Sequence, residues 1–242
     1  MNINKTDAAK DPLGAMLLEY MHGNIGVSIT VEAENFEMTT MTGATMFREY
    51  SEMEQLEQHA LALCKGKILD VGAGSGCHSL FLQQQGKDVH ALDISPGCVQ
   101  VLNERKIQHV IHQNLFSLKT CQYNTVLMLM NGIGICGTVD GLHFFFQFIP
   151  TLLAEGGQIL VDSTDPFVLD GISREDYHPS EIYPGETDFI MKYKKISSEQ
   201  FSWLYVDFDT LQSFAEFHGF QCERIIAGSD GEYLAKIHSH SH

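Results

Sequence analysis

The chain has 242 residues, 44% of them apolar and 19% charged, and its 31 acidic against 15 basic residues give a net charge of −16. That composition belongs to a globular chain long enough for one ample domain, or for one domain with an elaborate insertion. The charge argues against a nucleic-acid partner, which clustered Lys and Arg would hold, and no apolar run reaches the ~18 residues of a membrane span.

The opening M-N-I-N-K-T-D-A-A-K-D lacks an apolar signal core. Six cysteines are scattered through predicted strands, helices and a glycine loop, with no secretory framework, so a reduced, cytoplasmic protein is expected. Residues 13–21 read as a short helix, and residues 25–37 alternate weakly, as an extended segment or a loop. Ser51 and Glu54 have capping-box spacing, and Met53, Leu56, Ala60 and Leu63 continue at helical spacing to Cys64. Residues 1–64 thus read as an N-terminal helical cover ahead of a main domain over 65–242.

The main domain opens on K-I-L-D-V-G-A-G-S-G-C-H-S-L. An apolar strand with Asp70 inside it runs into Gly72, Gly74 and Gly76, and a helix over 79–85 follows at once. Alternating glycines at a strand-to-helix turn permit positive φ and let a ligand lie against the backbone. The dinucleotide pattern G-x-G-x-x-G sets its third glycine three residues after the second. Here that interval is two, and Cys77 stands at the third position. A second strand over 88–92 ends on Asp93, nineteen residues after Gly74, where a carboxylate can accept bonds from both hydroxyls of a ribose. Ser95-Pro96 starts the next helix as N-cap and first helical residue. A third strand over 109–113 leads to Asn114-Leu115, and a fourth over 125–130 runs into N-G-I-G-I-C-G.

The run D-V-G-A-G-S-G, with Asp93 at its distance, resembles the first motif and second-strand acid of the class I, Rossmann-like S-adenosylmethionine (SAM) methyltransferases. The resemblance is firm over 47–163 and looser beyond. It implies a doubly wound α/β fold with a mostly parallel seven-stranded sheet. It also implies SAM as cofactor and a methyl acceptor that is a small molecule rather than nucleic acid. It carries cofactor contact onto Asp70, Gly72, Ala73, Gly74, Ser75 and Gly76, onto Asp93 and Ile94, and onto Asn114 and Leu115 at the adenine edge. Asn114 departs from the usual acidic residue, although an amide offers both an acceptor and a donor. Asn131 and Gly132 are expected to face the sulfonium. The segment M-F-R-E-Y resembles a piece that closes on the methionine end, with Arg48 as a partner for the SAM carboxylate and Tyr50 as a cover; a surface Arg and a core-edge Tyr are the plainer alternatives. The motif N/D-P-P-Y/F of nucleic-acid base methylation is absent after the fourth strand, where N-G-I-G stands.

Beyond it, G-L-H-F-F-F-Q-F-I-P-T-L-L reads as an apolar helix whose Phe144, Phe145, Phe146 and Phe148 belong to the core, and a fifth strand spans 158–163. The next helix is expected from Asp209, capped with Gln212 and ended by Gly219. Residues 164–208 form an insertion with two alternating runs, Phe189, Met191, Tyr193 and Phe201, Trp203, Tyr205, read as two antiparallel strands with an aromatic face. A lid over the substrate and a homodimer contact are equally serviceable uses of it. The last strands span 221–227 and 233–237.

Tyr183, Tyr205, His22 and His143 are candidates for the acceptor side, and no catalytic base is identified. None is required where the acceptor arrives unprotonated. Cys77, Cys98 and Cys136 raise metalloid methylation, but buried cysteine is commonly a small apolar residue. His238, His240 and His242 in the tail read as a solvated end; no metal site is expected. Two rivals remain: an NAD(P)-dependent Rossmann oxidoreductase, disfavoured by the glycine spacing, by Asp70 and by the lack of a Tyr-x-x-x-Lys pair, and a SAM-binding protein without catalysis.

Overall fold

A computed structural model of the protein describes residues 6–33, 38–119, 121–169, 171, 173–175, 177–178 and 182–239. The apolar run before the glycines forms β3 (Lys67–Val71), and Ile68, Leu69, Asp70 and Val71 are all buried. Burial on both faces is what a central parallel strand requires, and it explains a continuous rather than alternating pattern. From β3 the chain passes through α4 (Cys77–Gln84), β4 (Asp88–Asp93), α5 (Pro96–Glu104) and β5 (His109–His112). It then returns past β3 through β6 (Tyr123–Met128), α6 (Val139–Phe148) and β7 (Leu153–Thr164).

After α7 (Pro166–Leu169) come β8 (Glu186–Tyr193), β9 (Ile196–Ser197), β10 (Phe201–Leu204), α8 (Phe208–Phe217), β11 (Phe220–Ala227) and β12 (Glu232–Ser239). The main sheet has seven strands in the order β11-β12-β7-β6-β3-β4-β5. The pairs among β5, β4, β3, β6 and β7 are parallel, and β12 runs antiparallel to both its neighbours. The strand order reverses between β3 and β6. In doubly wound sheets ligands bind at that crevice, outside the carboxyl ends of the strands.

Residues 1–64 depart from the expected helical cover. Besides α1 (Pro12–Met21), α2 (Gly43–Met46) and α3 (Gln55–Leu63) they carry β1 (Ser28–Ala33) and β2 (Thr39–Thr42). Ile29 and Val31 point inward from β1, and the strand pairs antiparallel with both β2 and β8. The weakly alternating segment becomes a strand because β8, some 160 residues away, supplies its ladder. The aromatic runs of the insertion form β8 and β10 as expected, and β10-β8-β1-β2, with β9 beside β8, make a second, antiparallel sheet. Phe189 touches Phe201 and Tyr205 edge-on across it.

Two caps differ from the sequence reading. Glu54, not Ser51, caps α3, and the Glu57 carboxylate accepts the Glu54 N–H at 3.0 Å; Ser51 lies in a preceding 3-10 turn. Asp207, not Asp209, caps α8 and accepts the Thr210 N–H at 3.1 Å. Of the four phenylalanines in α6, Phe145 and Phe146 are fully buried, whereas Phe144 is exposed and contacts Phe116. His240 and His242 lie outside the described residues, and His238 bonds Glu223.

Candidate active site

The carboxyl end of β3 is shaped by its glycines. Gly72 has φ +69°, and a Cβ there would meet nothing within 4 Å, so its backbone forms an open wall. Gly76 has φ +78° as the N-cap of α4, and a Cβ there would strike Leu102 at 2.5 Å. One glycine therefore serves the open face and the other the packing of α4 against α5. The amides of Gly72 and Ala73 both donate to Leu92 O, at 2.9 and 3.0 Å, which ties the loop to β4.

Asp93 ends β4 beside that wall. Its Oδ2 accepts the Gly74 N–H and its Oδ1 the Ser95 N–H, both at 2.8 Å. Burial pushes its pKa up to about 6, against the two amides, which favour the ionised form. A carboxylate has about four lone-pair sites, so a pair of ribose hydroxyls can still be accepted. Ile94, next along, is 40% exposed although large and apolar, a surface suited to a flat ring. Asn114 Oδ1 caps a 3-10 turn by accepting the Phe116 N–H at 2.9 Å, which leaves the amide NH₂ as its donor group; Leu115 behind it is buried.

The mouth of β6 is the strained part of the site. Met130 (φ +65°) and Asn131 (φ +56°) are consecutive non-glycine residues in the left-handed region. Such backbone persists only where its surroundings enforce it. The enforcing group is Asp162 of β7, whose two carboxylate oxygens accept the N–H of Met130 and of Gly132, each at 3.1 Å. Burial raises this carboxyl to about 6 as well. Asn131 Oδ1 in turn accepts the Thr164 hydroxyl at 2.9 Å.

The N-terminal segment closes on this loop through buried polar contacts. The Ser75 hydroxyl donates to Met46 O, and Arg105 donates to Ser75 O at 2.7 Å while lying over the Phe47 ring. Arg48 donates Nε and Nη2 to the Glu57 carboxylate and Nη1 to Thr45 O. Glu57 also takes His78 Nε2 at 2.6 Å. Burial alone would raise Glu57, but bonds from His78 and Arg48 overcome it and hold the group well below the usual carboxylate range. Burial likewise works against charge on His78, and its neighbours Cys77 and Glu57 reverse that, raising its pKa. The Arg48 fork is thus already shared with Glu57 in this structure. Tyr50 stacks on Phe81 with centroids 4.1 Å apart. Asp70 is buried inside β3 and accepts the Ser79 hydroxyl at 2.6 Å, tying the strand to α4.

Beside Asn131 lies a cavity of ≈ 250 Å³. Its lining includes Asn131 and Thr164 from the main sheet, Val31 and Phe189 from the second sheet, Leu169 and Tyr205 from the insertion, and Asp230 and Glu232 from the turn into β12. Of the four acceptor-side candidates only Tyr205 lines it. Tyr183 donates to Asp207 in the core, His22 pairs with Glu104, and His143 pairs with His218 between α6 and α8. A larger cavity, ≈ 520 Å³, sits on the outer edge at α8 and β11 and touches no candidate residue.

Sequence reasoning missed Asp162, the Glu57–His78 pair and Thr164. The only available signal was D-S-T-D at the end of the fifth strand, where both Asp162 and Thr164 stand.

The family model "Tellurite resistance protein TehB" matches residues 44–154. A SAM-dependent methyltransferase from Bacteroides fragilis, solved with S-adenosyl-L-homocysteine, is 38% identical, with a TM-score of 0.89 and all of both chains covered. An uncharacterised methyltransferase of Staphylococcus carnosus (strain TM300) is 34% identical over 89 residues, 37% of this chain and 39% of that one, so the match spans about two fifths of that relative's length. The CcbJ methyltransferase of Streptomyces caelestis shares the fold at a TM-score of 0.58 and 17% identity, over 81% of this chain and 98% of that one.

Proposed function

Because the chain belongs to the class I SAM-dependent methyltransferases, we propose that it transfers the SAM methyl group to a small molecule seated in the cavity beside Asn131. SAM supplies an activated methyl on a sulfonium. The residues described above then have separate tasks. Gly72 and Gly74 give the wall for the methionine part, Asp93 takes the ribose hydroxyls, and Ile94, Asn114 and Leu115 frame the adenine. Asp162 fixes Met130, Asn131 and Gly132, so the left-handed mouth stands rigid where donor and acceptor meet. In-line transfer requires the reacting atoms to be held about 3–3.5 Å apart, with water excluded, and a preset mouth serves that need. Arg48, anchored by Glu57, and Tyr50, anchored by Phe81, form the cover on the methionine side.

The observation that carries the reading is the open backbone at Gly72 beside a buried Asp93 that still has acceptor capacity. A cavity of ≈ 250 Å³ lies just below the ~300–1,000 Å³ typical of ligand pockets, which supports a small acceptor. Calorimetric titration with S-adenosylhomocysteine and with NADH tests it. Binding of the first alone is expected, and binding of NADH alone would sink the proposal. Turnover of methyl-labelled SAM against an acceptor panel separates an enzyme from a SAM-binding protein that catalyses nothing.

A further inference from the structure

The charges around the acceptor cavity are one-sided. Glu232 stands opposite Thr164 in the β12–β7 ladder, and the Thr164 hydroxyl bonds Asn131, so one row of contacts runs from the mouth to Glu232. Asp230 is two residues away in the same turn and lines the same cavity. Among the described residues neither carboxylate has a cationic partner. The Glu232 side chain accepts the Asp230 N–H at 3.2 Å, and Asp230 accepts the Ser229 hydroxyl at 3.1 Å. Other acids around the second sheet divide: Glu32 pairs with Lys192, and Asp165 and Asp207 with Arg174, whereas Glu186 and Asp188 of β8, outside the cavity lining, accept from the Val139 N–H and from Gln200 and Ser202, respectively. Among the described residues, no Lys, Arg or His lines the cavity. The rest of the wall is largely carbon, with Phe189 and Tyr205 meeting edge-on at 6.3 Å between centroids.

Two uncompensated carboxylates with an aromatic wall attract a cation twice, by charge and through the ring quadrupole. Resting on the methyltransferase reading above, we propose that the acceptor is an amine on a carbon-rich body, bound through its ammonium form by Glu232 and Asp230. A carboxylic acid would bring like charge to the same place. A neutral alcohol or thiol would leave both charges unmatched.

The chemistry balances with these groups. The bound ammonium gives one proton to the Glu232 carboxylate, which passes it to water. The freed nitrogen lone pair forms the N–C bond as the C–S bond breaks with its electron pair on sulfur. The products are the N-methylammonium and S-adenosylhomocysteine.

The test uses the full chain with methyl-tritiated SAM and matched panels on the same skeletons: benzylic and alkyl primary and secondary amines beside the corresponding alcohols, thiols and carboxylic acids. Binding of benzyltrimethylammonium, benzyl alcohol and phenylacetate to the enzyme–S-adenosylhomocysteine complex is measured in parallel. Turnover confined to amines is expected, with benzyltrimethylammonium bound at least tenfold more tightly than the other two probes. In Glu232→Gln and Asp230→Asn, that preference and kcat/KM for amines should fall tenfold or more, while affinity for S-adenosylhomocysteine stays within twofold. Turnover of alcohols, thiols or acids but not amines, an unchanged preference in both variants, or neither amine turnover nor ammonium binding would overturn the amine assignment. Failure of S-adenosylhomocysteine itself to bind would instead overturn the cofactor reading beneath it.

Discussion

Replacing Asp93 by Asn tests the centre of the site, because two consequences follow with opposite signs. The carboxyl is 8% exposed, and burial lifts its pKa from 3.8 to about 6. Between those values the folded protein holds a proton that the unfolded chain has released. Stability is therefore greatest below pH 3.8 and declines as pH rises to about 6, then stays flat. At about 1.4 kcal/mol per unit the ionised carboxylate costs the fold about 3 kcal/mol at neutral pH. Asn keeps the shape and one acceptor, for Gly74 or Ser95, and loses the other, costing about 1–3 kcal/mol at every pH. The stability difference between the variant and the natural protein should consequently move in favour of the variant by about 2.4 kcal/mol from pH 4 to pH 7. Taking the difference cancels groups such as Glu57, whose lowered pKa gives stability above pH 4.5 that is lost on acidification. Cofactor affinity should go the other way. Ribose hydroxyls donate to the ionised form, so S-adenosylhomocysteine should bind more tightly as pH rises through about 6. The variant should lose about 1–3 kcal/mol of that affinity, roughly 5- to 150-fold, together with the pH dependence. Urea unfolding across pH 4–8 and calorimetric titration measure both. Parallel stability curves would refute the buried charge, and unchanged affinity would refute the contact with ribose.

Four other outcomes are expected. Gly76→Ala and Gly72→Ala should each cost about 1–2 kcal/mol of stability for their left-handed backbone, with a further loss at Gly76 for the 2.5 Å approach to Leu102 and, at Gly72, which faces open space, a loss of cofactor affinity instead; urea unfolding with calorimetry separates them, and equal behaviour would contradict the division of tasks. Arg48→Ala breaks a buried pair with Glu57, a class of change that costs about 3–5 kcal/mol. Because His78 still faces Glu57, the low end is expected, and a double-mutant cycle with Glu57→Gln reads the coupling. Thr164→Val removes one bond to Asn131, about 0.5–1.5 kcal/mol, and should change acceptor kinetics while leaving S-adenosylhomocysteine affinity intact. S-adenosylhomocysteine at 100 times its dissociation constant should stabilise the fold by about 2.7 kcal/mol in a thermal-shift assay.

How much of this was legible in the sequence depended on locality. The unit from β3 to β4 could be read because its signals are adjacent: an apolar strand, glycines at fixed spacing, a capped helix and an acid nineteen residues on. Asp162 could not. It acts on Met130 and Gly132, thirty and more residues earlier, and only the β6–β7 pairing brings them together. Glu57 carries no local signal within its helix; its meeting with Arg48 and His78 needs α3 packed across the glycine loop. β1 could be read only as an extended segment or a loop for the same reason, since its ladder partner lies in the insertion. The caps failed differently. Ser51 and Asp209 had plausible spacing, but Glu54 and Asp207 were equally able to cap, and packing chose between them.

The second sheet explains why donor and acceptor sites should behave as separable units. The groups proposed to hold the cofactor come mainly from the main sheet: Gly72 and Gly74 after β3, Asp93 on β4, and the Asp162-held turn between β6 and β7. The acceptor cavity instead joins Val31 of β1, Phe189 of β8 and Glu232 of β12 to Asn131, stretches far apart along the chain. It exists only when β1 and β8 are paired. Proline at residue 190, where β1 pairs with β8, would remove a ladder donor. Ile190→Pro should therefore disrupt this sheet and abolish acceptor binding while S-adenosylhomocysteine still protects the amides around Gly74 and Gly132 from hydrogen exchange. Loss of that protection in the variant would mean that the two sheets fold as one cooperative unit, and the division drawn between them would fail.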